Sequence, residues 1–402
     1  MVAGEESFIH VLISLAILLF SAKIFAEIFH KFKLPIVLGE LLAGIIVSPF
    51  ALGAIPLFDG KPLVILNETV LQIGEISGIV ILFIAGLQIT PREFLKGGAA
   101  SFTVGACGVI FPFFVGYYVF TLFGIGGLQS VLVATALTAT SIAISIRVLT
   151  ELGKMQTKEA KLILGAAIVD DILAIAVLSV VTTMVQTGNM TPNFIDITFL
   201  ILKILGIFVA LLVGAILIVP KMLNAERLKS RGSIEGIVTA SFFGASGIAA
   251  IVGLSPIVGA FAVGMAVAST KIIGRVEEYV EKLEIIFAPL FFAIIGAQVN
   301  LTGVNLYVLF LTSIVVAVAI VTKLVGCGLP AMIFLKDRSK AMRVGVGMIS
   351  RGEVGLIVAG IGVTSGALSP NIYTTVIIMV AVTTMITPIW LKKAYNKEQD
   401  SS

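Results

Sequence analysis

Two adjacent carboxylates, Asp170 and Asp171, stand in the apolar run ILGAAIVDDILAIAVL with no basic residue beside them. In a low-dielectric medium two such groups cannot both stay ionised cheaply. They call for a bound cation, a proton or a buried base. Neighbouring helical positions differ by about 100° of rotation, so the two acids can face different partners. Charges within membrane spans cost about 2.5–3.5 kcal/mol each on insertion scales and mark pathways for ions or protons. The others of this kind are Lys323, in VAVAIVTKLVGCG, and Arg351 and Glu353, in Ser350-Arg351-Gly352-Glu353; Glu40, Glu75, Arg147 and Lys203 lie nearer segment ends. Helix glue is the plainer reading of the acids, although one acid would suffice for it. Lys323 is the natural countercharge, and a lysine at its place can also snorkel toward a membrane surface. Thr135, Thr138, Thr140 and Ser141 cluster in ATALTATSIAIS. Such hydroxyls can bond back to their own helix. In a locally unwound helix they join freed carbonyls as ligands for a dehydrated cation. Gly352 permits a second break, where Glu353 can neutralise facing helix N-termini; a simple Arg351–Glu353 pair is the alternative.

The elements that must position these groups are membrane helices. Of 402 residues, 58% are hydrophobic and only 12% charged, with a mean hydropathy of +1.13. Soluble domains carry about 25% charged residues, so lipid is the solvent here. Thirteen segments suit a crossing: 8–29, 35–55, 71–89, 99–123, 128–151, 161–186, 197–220, 234–252, 254–271, 285–299, 304–329, 342–367 and 372–391. The acid pair falls ten residues into the sixth, about 15 Å deep and near the midplane. Lys and Arg crowd the odd-numbered connections and the C-terminal tail, whereas the even ones hold Lys61 alone. The asymmetry places the odd connections and the C-terminus in the cytoplasm and the N-terminus outside, in a multi-pass protein of the cell (inner) membrane. Connections and tail are too short for a soluble regulatory domain, and the acidic MVAGEES start is no cleavable signal.

A weak repeat links segments seven apart. Pro35-Ile36-Val37, Gly39 and Gly44 match Pro256-Ile257-Val258, Gly259 and Gly264; Gly86-Leu87-Gln88 matches Gly296-Ala297-Gln298. An odd offset inverts the copies in the membrane, giving repeats at about 8–186 and 234–391 joined by a linker helix at 197–220. Inverted repeats with a site between them are typical of secondary transporters; close helix packing through small residues is the other explanation for the glycines. The fold class expected is therefore an all-α membrane protein with thirteen transmembrane helices. No nucleophile–base set, metal cluster or phosphate loop points to an enzyme or a cofactor, and no basic stretch with interleaved aromatics points to nucleic acid. Cys107 and Cys327 read as isolated buried thiols.

The chain resembles the monovalent cation:proton antiporter-2 family. The matching stretches, LGELLAGIIVSP, ILFIAGLQ, ALTATSIAISIRVLTELG, GAAIVDDILAI, SPIVGAFAVGM and PLFFAIIGAQV, extend over almost the whole chain. The resemblance implies a sodium/proton antiporter fold, usually a homodimer, with a dimer domain and a six-helix core. In that core two broken helices cross, here the fifth and twelfth. It implies exchange of cytoplasmic Na⁺ (or Li⁺) for external H⁺ by alternating access, with no cofactor. Asp171 matches the ion-binding carboxylate, Asp170 the carboxylate paired with a lysine, here Lys323, and Thr138 and Thr140 match the crossover. A second acid and a lysine that also exchange a proton would make transport electrogenic. Potassium-efflux relatives of the Kef type typically carry Gln-Asp at the Asp170-Asp171 position, which favours sodium. One departure is Gln88, where many relatives have an acid. A K⁺/H⁺ or mixed antiporter of the same fold is the nearest alternative; a channel or sensor, with flux uncoupled from protons, is the remote one.

Overall fold

Several helices begin where a short polar side chain meets an apolar run. In a computed structural model that describes residues 3–57, 60–187, 194–223, 230 and 232–399, Asn67 accepts the Val70 N–H (3.0 Å) and starts α3 (Glu68–Leu87). Asn305 accepts the Val308 N–H (2.9 Å) and starts α13 (Leu306–Leu335). Asp337 caps α14 (Arg338–Gly347) in the same way. Each satisfies an N–H that the first turn leaves without a partner. Thr90-Pro91-Arg92-Glu93 forms a capping box at α4 (Pro91–Lys96): the Glu93 carboxylate accepts the Thr90 N–H (3.1 Å), and the Glu93 N–H reaches back to the Thr90 hydroxyl (3.3 Å).

The remaining helices are α1 (Ala3–Lys31), α2 (Ile36–Ile46), α5 (Gly98–Leu122), α6 (Gly127–Ala136), α7 (Ile142–Glu151), α8 (Lys158–Thr187), α9 (Phe194–Met222), α10 (Ser233–Ile251), α11 (Pro256–Ala268), α12 (Ile273–Ala297), α15 (Glu353–Thr364) and α16 (Pro370–Gln399). No strand forms among the described residues. Among the described residues, eight helices are long and apolar enough to cross a membrane, and four shorter apolar helices accompany them. The all-helical fold and the two broken helices are as the sequence leads one to expect. The fifth segment divides into α6 and α7, and the twelfth into α14 and α15.

Two segment boundaries depart most from expectation; the eleventh and thirteenth segments also run on, to Leu335 and Gln399, and the first starts earlier, at Ala3. The second was expected over 35–55, but α2 ends at Ile46 and the chain turns into a short 3₁₀ stretch, Leu52–Ala54. Pro49 disfavours helix at the residue before it. The tenth was expected over 285–299, but α12 starts at Ile273. Its first half is amphipathic: Val276 and Val280 are buried one turn apart while Glu278, Glu281 and Lys282 are exposed, so apolarity alone missed it. This half is tied to α10 by Arg275–Glu235 (2.8 Å) and by the Tyr279 and Thr239 hydroxyls (2.9 Å).

The helices pack as two groups. One comprises α1, α2, α3, α10, α11 and α12; the other comprises α5 to α8 and α13 to α16, and the groups touch each other only sparsely. The glycines of the sequence repeat mark tight crossings in the first group. A methyl on Gly39 would overlap the Phe25 carbonyl of α1, and one on Gly259 the Ala245 carbonyl of α10. Gly44 of α2 and Gly296 of α12 each face the other helix's backbone, as do Gly86 of α3 and Gly264 of α11. Gln88 and Gln298 are the matched C-caps of α3 and α12. Since backbone rather than a flexible side chain would be struck, Gly44→Ala is expected to cost about 1–3 kcal/mol. A lower melting temperature of the purified protein is the readout; an unchanged one would show that the α2–α12 crossing relaxes freely.

Candidate functional site

The two helix breaks cross each other and are joined by backbone. The Ser141 N–H donates to the Ser350 carbonyl (2.9 Å), and the Ser350 hydroxyl donates to the Ser141 carbonyl (2.9 Å). The Ser145 hydroxyl donates to the Gly347 carbonyl. Gly352 lies so close to Ser141 that a Cβ would overlap it. These bonds answer a strict demand, because backbone polar groups freed inside a membrane protein must find partners within the protein. Arg351, wholly buried, supplies more of them: its guanidinium donates to the carbonyls of Ile349 (2.6 Å), Met348 (3.3 Å) and, across on α13, Ala319 (3.2 Å). The Thr384 hydroxyl of α16 donates to the Arg351 carbonyl (2.6 Å). Arg351 is thus built into the break itself. Glu353 opens α15, but its side chain lies outside the described residues.

Asp170 and Asp171 point to different places, as adjacent helix positions allow. Asp170 has no exposed surface and sits at the crossing: the Thr140 N–H donates to its Oδ2 (2.8 Å), and Lys323 Nζ lies 2.6 Å from its Oδ1. Lys323 is also wholly buried and stands twelve residues from the end of α13, which rules out snorkelling. Asp171 is half-buried and lines a cavity of about 580 Å³. The cavity lies between the two helix groups. Ile175 and Leu178 of α8 and Ile357 of α15 form one wall; Glu75, Ser255 and Gln298 are among the residues on the other. Thr138 and Thr140 are buried at the break, but they do not line this cavity. The Thr138 hydroxyl bonds back to the Thr135 carbonyl (2.7 Å), and the Thr140 hydroxyl reaches toward the Met348 carbonyl (3.4 Å).

A buried support behind the site had no distinctive signal in the sequence. Arg343 of α14 pairs with Glu159 at the start of α8 (2.8 Å), both nearly inaccessible. The guanidinium also donates to the Ala394 carbonyl of α16 (3.1 Å) and stacks 4.4 Å from the Tyr395 ring centroid. Arg343 and Glu159 sit in the polar flanks of their segments, where charges read as solvated. Gln88, the residue of unexplained role, receives through its carbonyl and side-chain oxygens the amide of Gln156 (3.3 and 3.2 Å), joining α3 to the α7–α8 connection.

At the connection between α3 and α5, Glu93 pairs with Lys161 of α8 (2.6 Å). That hydrogen bond, with help from Thr90, holds the Glu93 carboxyl down to about 2 from its ordinary 4.5. The folded-state value is depressed, so the pair's contribution is fully present above about 4.5 and is lost as pH falls through about 2. The pair therefore does not titrate near neutrality, and Glu93→Gln is expected to leave the pH profile of transport across the neutral range in place. A profile displaced by that substitution would show a wider role for this contact.

A multi-pass helical bundle, with a wholly buried acid–lysine pair at the crossing of two broken helices and a second acid facing a cavity, defines a membrane transporter. A family profile described as sodium/hydrogen exchanger, transmembrane, matches residues 15–397, and the chain belongs to that family. It is accordingly an exchanger, not an enzyme. The chain is 34% identical to the high-affinity Na⁺/H⁺ antiporter NhaS3 of Synechocystis, over 96% of this chain and 90% of that protein. It is 33% identical to the Na⁺/H⁺-K⁺ antiporter GerN of Bacillus cereus, over 95% of each. The solved structure of the sodium proton antiporter MjNhaP1 from Methanocaldococcus jannaschii matches with a TM-score of 0.69 over 95% of this chain and 96% of that one; at 17% identity it shows a shared fold.

Proposed function

We propose that this chain exchanges cytoplasmic Na⁺ or Li⁺ for external protons by alternating access, with Asp171 as the carboxylate for which cation and proton compete. The observation that carries the reading is the division of labour at residues 170 and 171. Asp170 is already neutralised by Lys323, whereas Asp171 borders the cavity an ion would use. A deprotonated Asp171 offers one hard oxygen ligand set. Hydroxyls and carbonyls of Thr138 and Thr140 at the crossing, which do not line the cavity in this structure, are the further ligands proposed; small hard cations favour oxygen donors. Protonation of Asp171 expels the ion, so each cargo crosses alone. Arg351 and Glu353 compensate charge and dipole at the second break. Where the Asp170–Lys323 pair also opens and exchanges a proton, two protons move per sodium and transport is electrogenic.

The distribution of Lys and Arg supports an orientation with the N-terminus outside and the C-terminus in the cytoplasm of the cell membrane. The cavity then faces outward, because its residues Leu71, Gly253 and Gln298 lie near even-numbered connections. The glycine crossings support two inverted repeats, about 8–186 and 234–391, with α9 as the linker. A homodimer belongs to the same proposal, and the mass of the detergent-solubilised protein tests it.

The functional test is proton flux in sealed proteoliposomes holding a preset pH gradient, with Na⁺, Li⁺ or K⁺ added in turn. Dissipation by Na⁺ and Li⁺ but not K⁺ is expected. K⁺ exchange is the second reading, favoured by the similarity to a Na⁺/H⁺-K⁺ antiporter; dissipation by K⁺ alone would establish it. Absence of any cation-dependent proton movement would overturn both.

A further inference from the structure

At the end opposite the cavity, the two helix groups are held together through α7. This half-helix carries Arg147 and Glu151 one turn apart, and both reach across to the other group. Arg147 hydrogen-bonds Glu284 of α12 and lies 3.6 Å from Glu40 of α2. Glu151 accepts the backbone N–H of Ile36 (3.1 Å), the first residue of α2. An acid at a helix N-terminus satisfies an open N–H and meets the positive end of the helix dipole. Glu40 is wholly buried and neither of its oxygens accepts a hydrogen bond, so Arg147 is its principal compensation. Lys23 of α1, Glu151 and Glu284 are the other charged groups about Glu40.

The placement of this cluster relative to the cavity is what gives it a consequence. Glu284 and Gln298 are both on α12, fourteen residues apart, so the α7 contacts and the cavity mouth are separated by about 21 Å along one helix. At one end the groups part around Asp171; at the other they are joined by charge. A site that alternates between the two ends must separate the groups where they are now joined, and α7 belongs to the same broken helix that holds Thr140 against Asp170.

We propose that Arg147 and Glu151 form a clamp, closed on Glu40, Glu284 and the N-terminus of α2, that holds the site open toward the cavity and must release for it to open to the other side. This rests on the alternating-access reading above. A buried carboxylate left without its cation is costly, so Glu40 favours the clamped state strongly. Release therefore demands that water or a proton reach Glu40 as α7 withdraws.

The test is the rate at which a membrane-impermeant thiol reagent, added from the cavity side, modifies a cysteine placed at the cavity mouth by Gln298→Cys. The protein without that cysteine serves as the blank for Cys107 and Cys327. Adding Arg147→Ala is expected to slow the modification, by about fivefold where the cavity-open population falls to about one fifth, and Arg147→Lys to restore part of the rate. Glu284→Gln, at a position that is partly buried, is expected to slow it in the same direction and decides the matter if Arg147→Ala does not fold. An unchanged or faster rate in the folded variants overturns the clamp. Failure of the exchange reading is seen separately, as absence of cation-dependent proton flux in the protein with its native residues.

Discussion

Asp171→Asn is expected to abolish cation-dependent proton flux altogether while leaving the protein folded. The substitution keeps the shape of the side chain and removes the charge and the titratable proton together. Asp171 is half-buried at the cavity wall rather than locked in the crossing, so a neutral amide there should leave the backbone bonds between the two breaks undisturbed. The bonds that hold the crossing run through Ser141, Ser350 and Arg351. Flux in proteoliposomes and elution of the purified variant as a single species are the two measurements. Near-normal flux would remove Asp171 from the mechanism and leave the exchanger in need of a different carboxylate, with Glu75 in the same cavity the next to examine. Lost flux with a misfolded protein would instead make residue 171 structural. Asp170→Asn forms a useful contrast: it strips Lys323 of its counterion, so its effect on stability is expected to exceed that of the neighbouring substitution.

Much of this arrangement was legible from residue types because the membrane is so restrictive a solvent. A charge in the middle of an apolar run has few permitted environments, which is why Asp170, Asp171, Lys323 and Arg351 stood out. The structure brings Asp170 and Lys323 together, 153 positions apart. The breaks at residues 137–141 and 348–352 were readable from hydroxyls clustered in one segment and from Gly352 in the other. What the sequence left obscure obeys a different logic. Arg351 stood out as a possible partner of Glu353, whose side chain lies outside the described residues, and nothing in the sequence signalled that its guanidinium would reach the Ile349 carbonyl at the break and the Ala319 carbonyl across on α13. Arg147 and Glu40 looked like end-of-segment charges and Glu284 fell just outside the expected tenth segment, because their meeting depends on how two helix groups approach one another. The first half of α12 was missed because an amphipathic helix at a polar boundary has too many charges to register as a span. Thr138 was read as a possible ion ligand, and its hydroxyl is engaged with its own helix in this structure. Local pattern thus located helices and costly charges, whereas the pairing of partly polar faces required the packed chain.

Lys323→Ala is expected to lower stability by about 3–5 kcal/mol, the usual cost of breaking a buried ion pair from one side. Lys323 and Asp170 have no exposed surface, so no solvent is at hand to replace the lost ammonium. The Thr140 N–H would remain as a donor to Asp170, but a single neutral donor does not offset a buried negative charge. The variant can escape by keeping Asp170 protonated, and Asp170→Asn introduced together with Lys323→Ala mimics that state. The double variant is therefore expected to melt above the single Lys323→Ala variant, whereas two independent losses would place it below. This thermodynamic cycle measures only the structural worth of the pair. Its part in transport is read from flux under an imposed membrane potential. If the pair opens and carries a proton in each cycle, removing the lysine changes the charge moved per turnover, and the response to voltage changes with it. A large fall in melting temperature with an unaltered voltage response would make Lys323 a strut that holds the crossing together, and would place all proton coupling on Asp171.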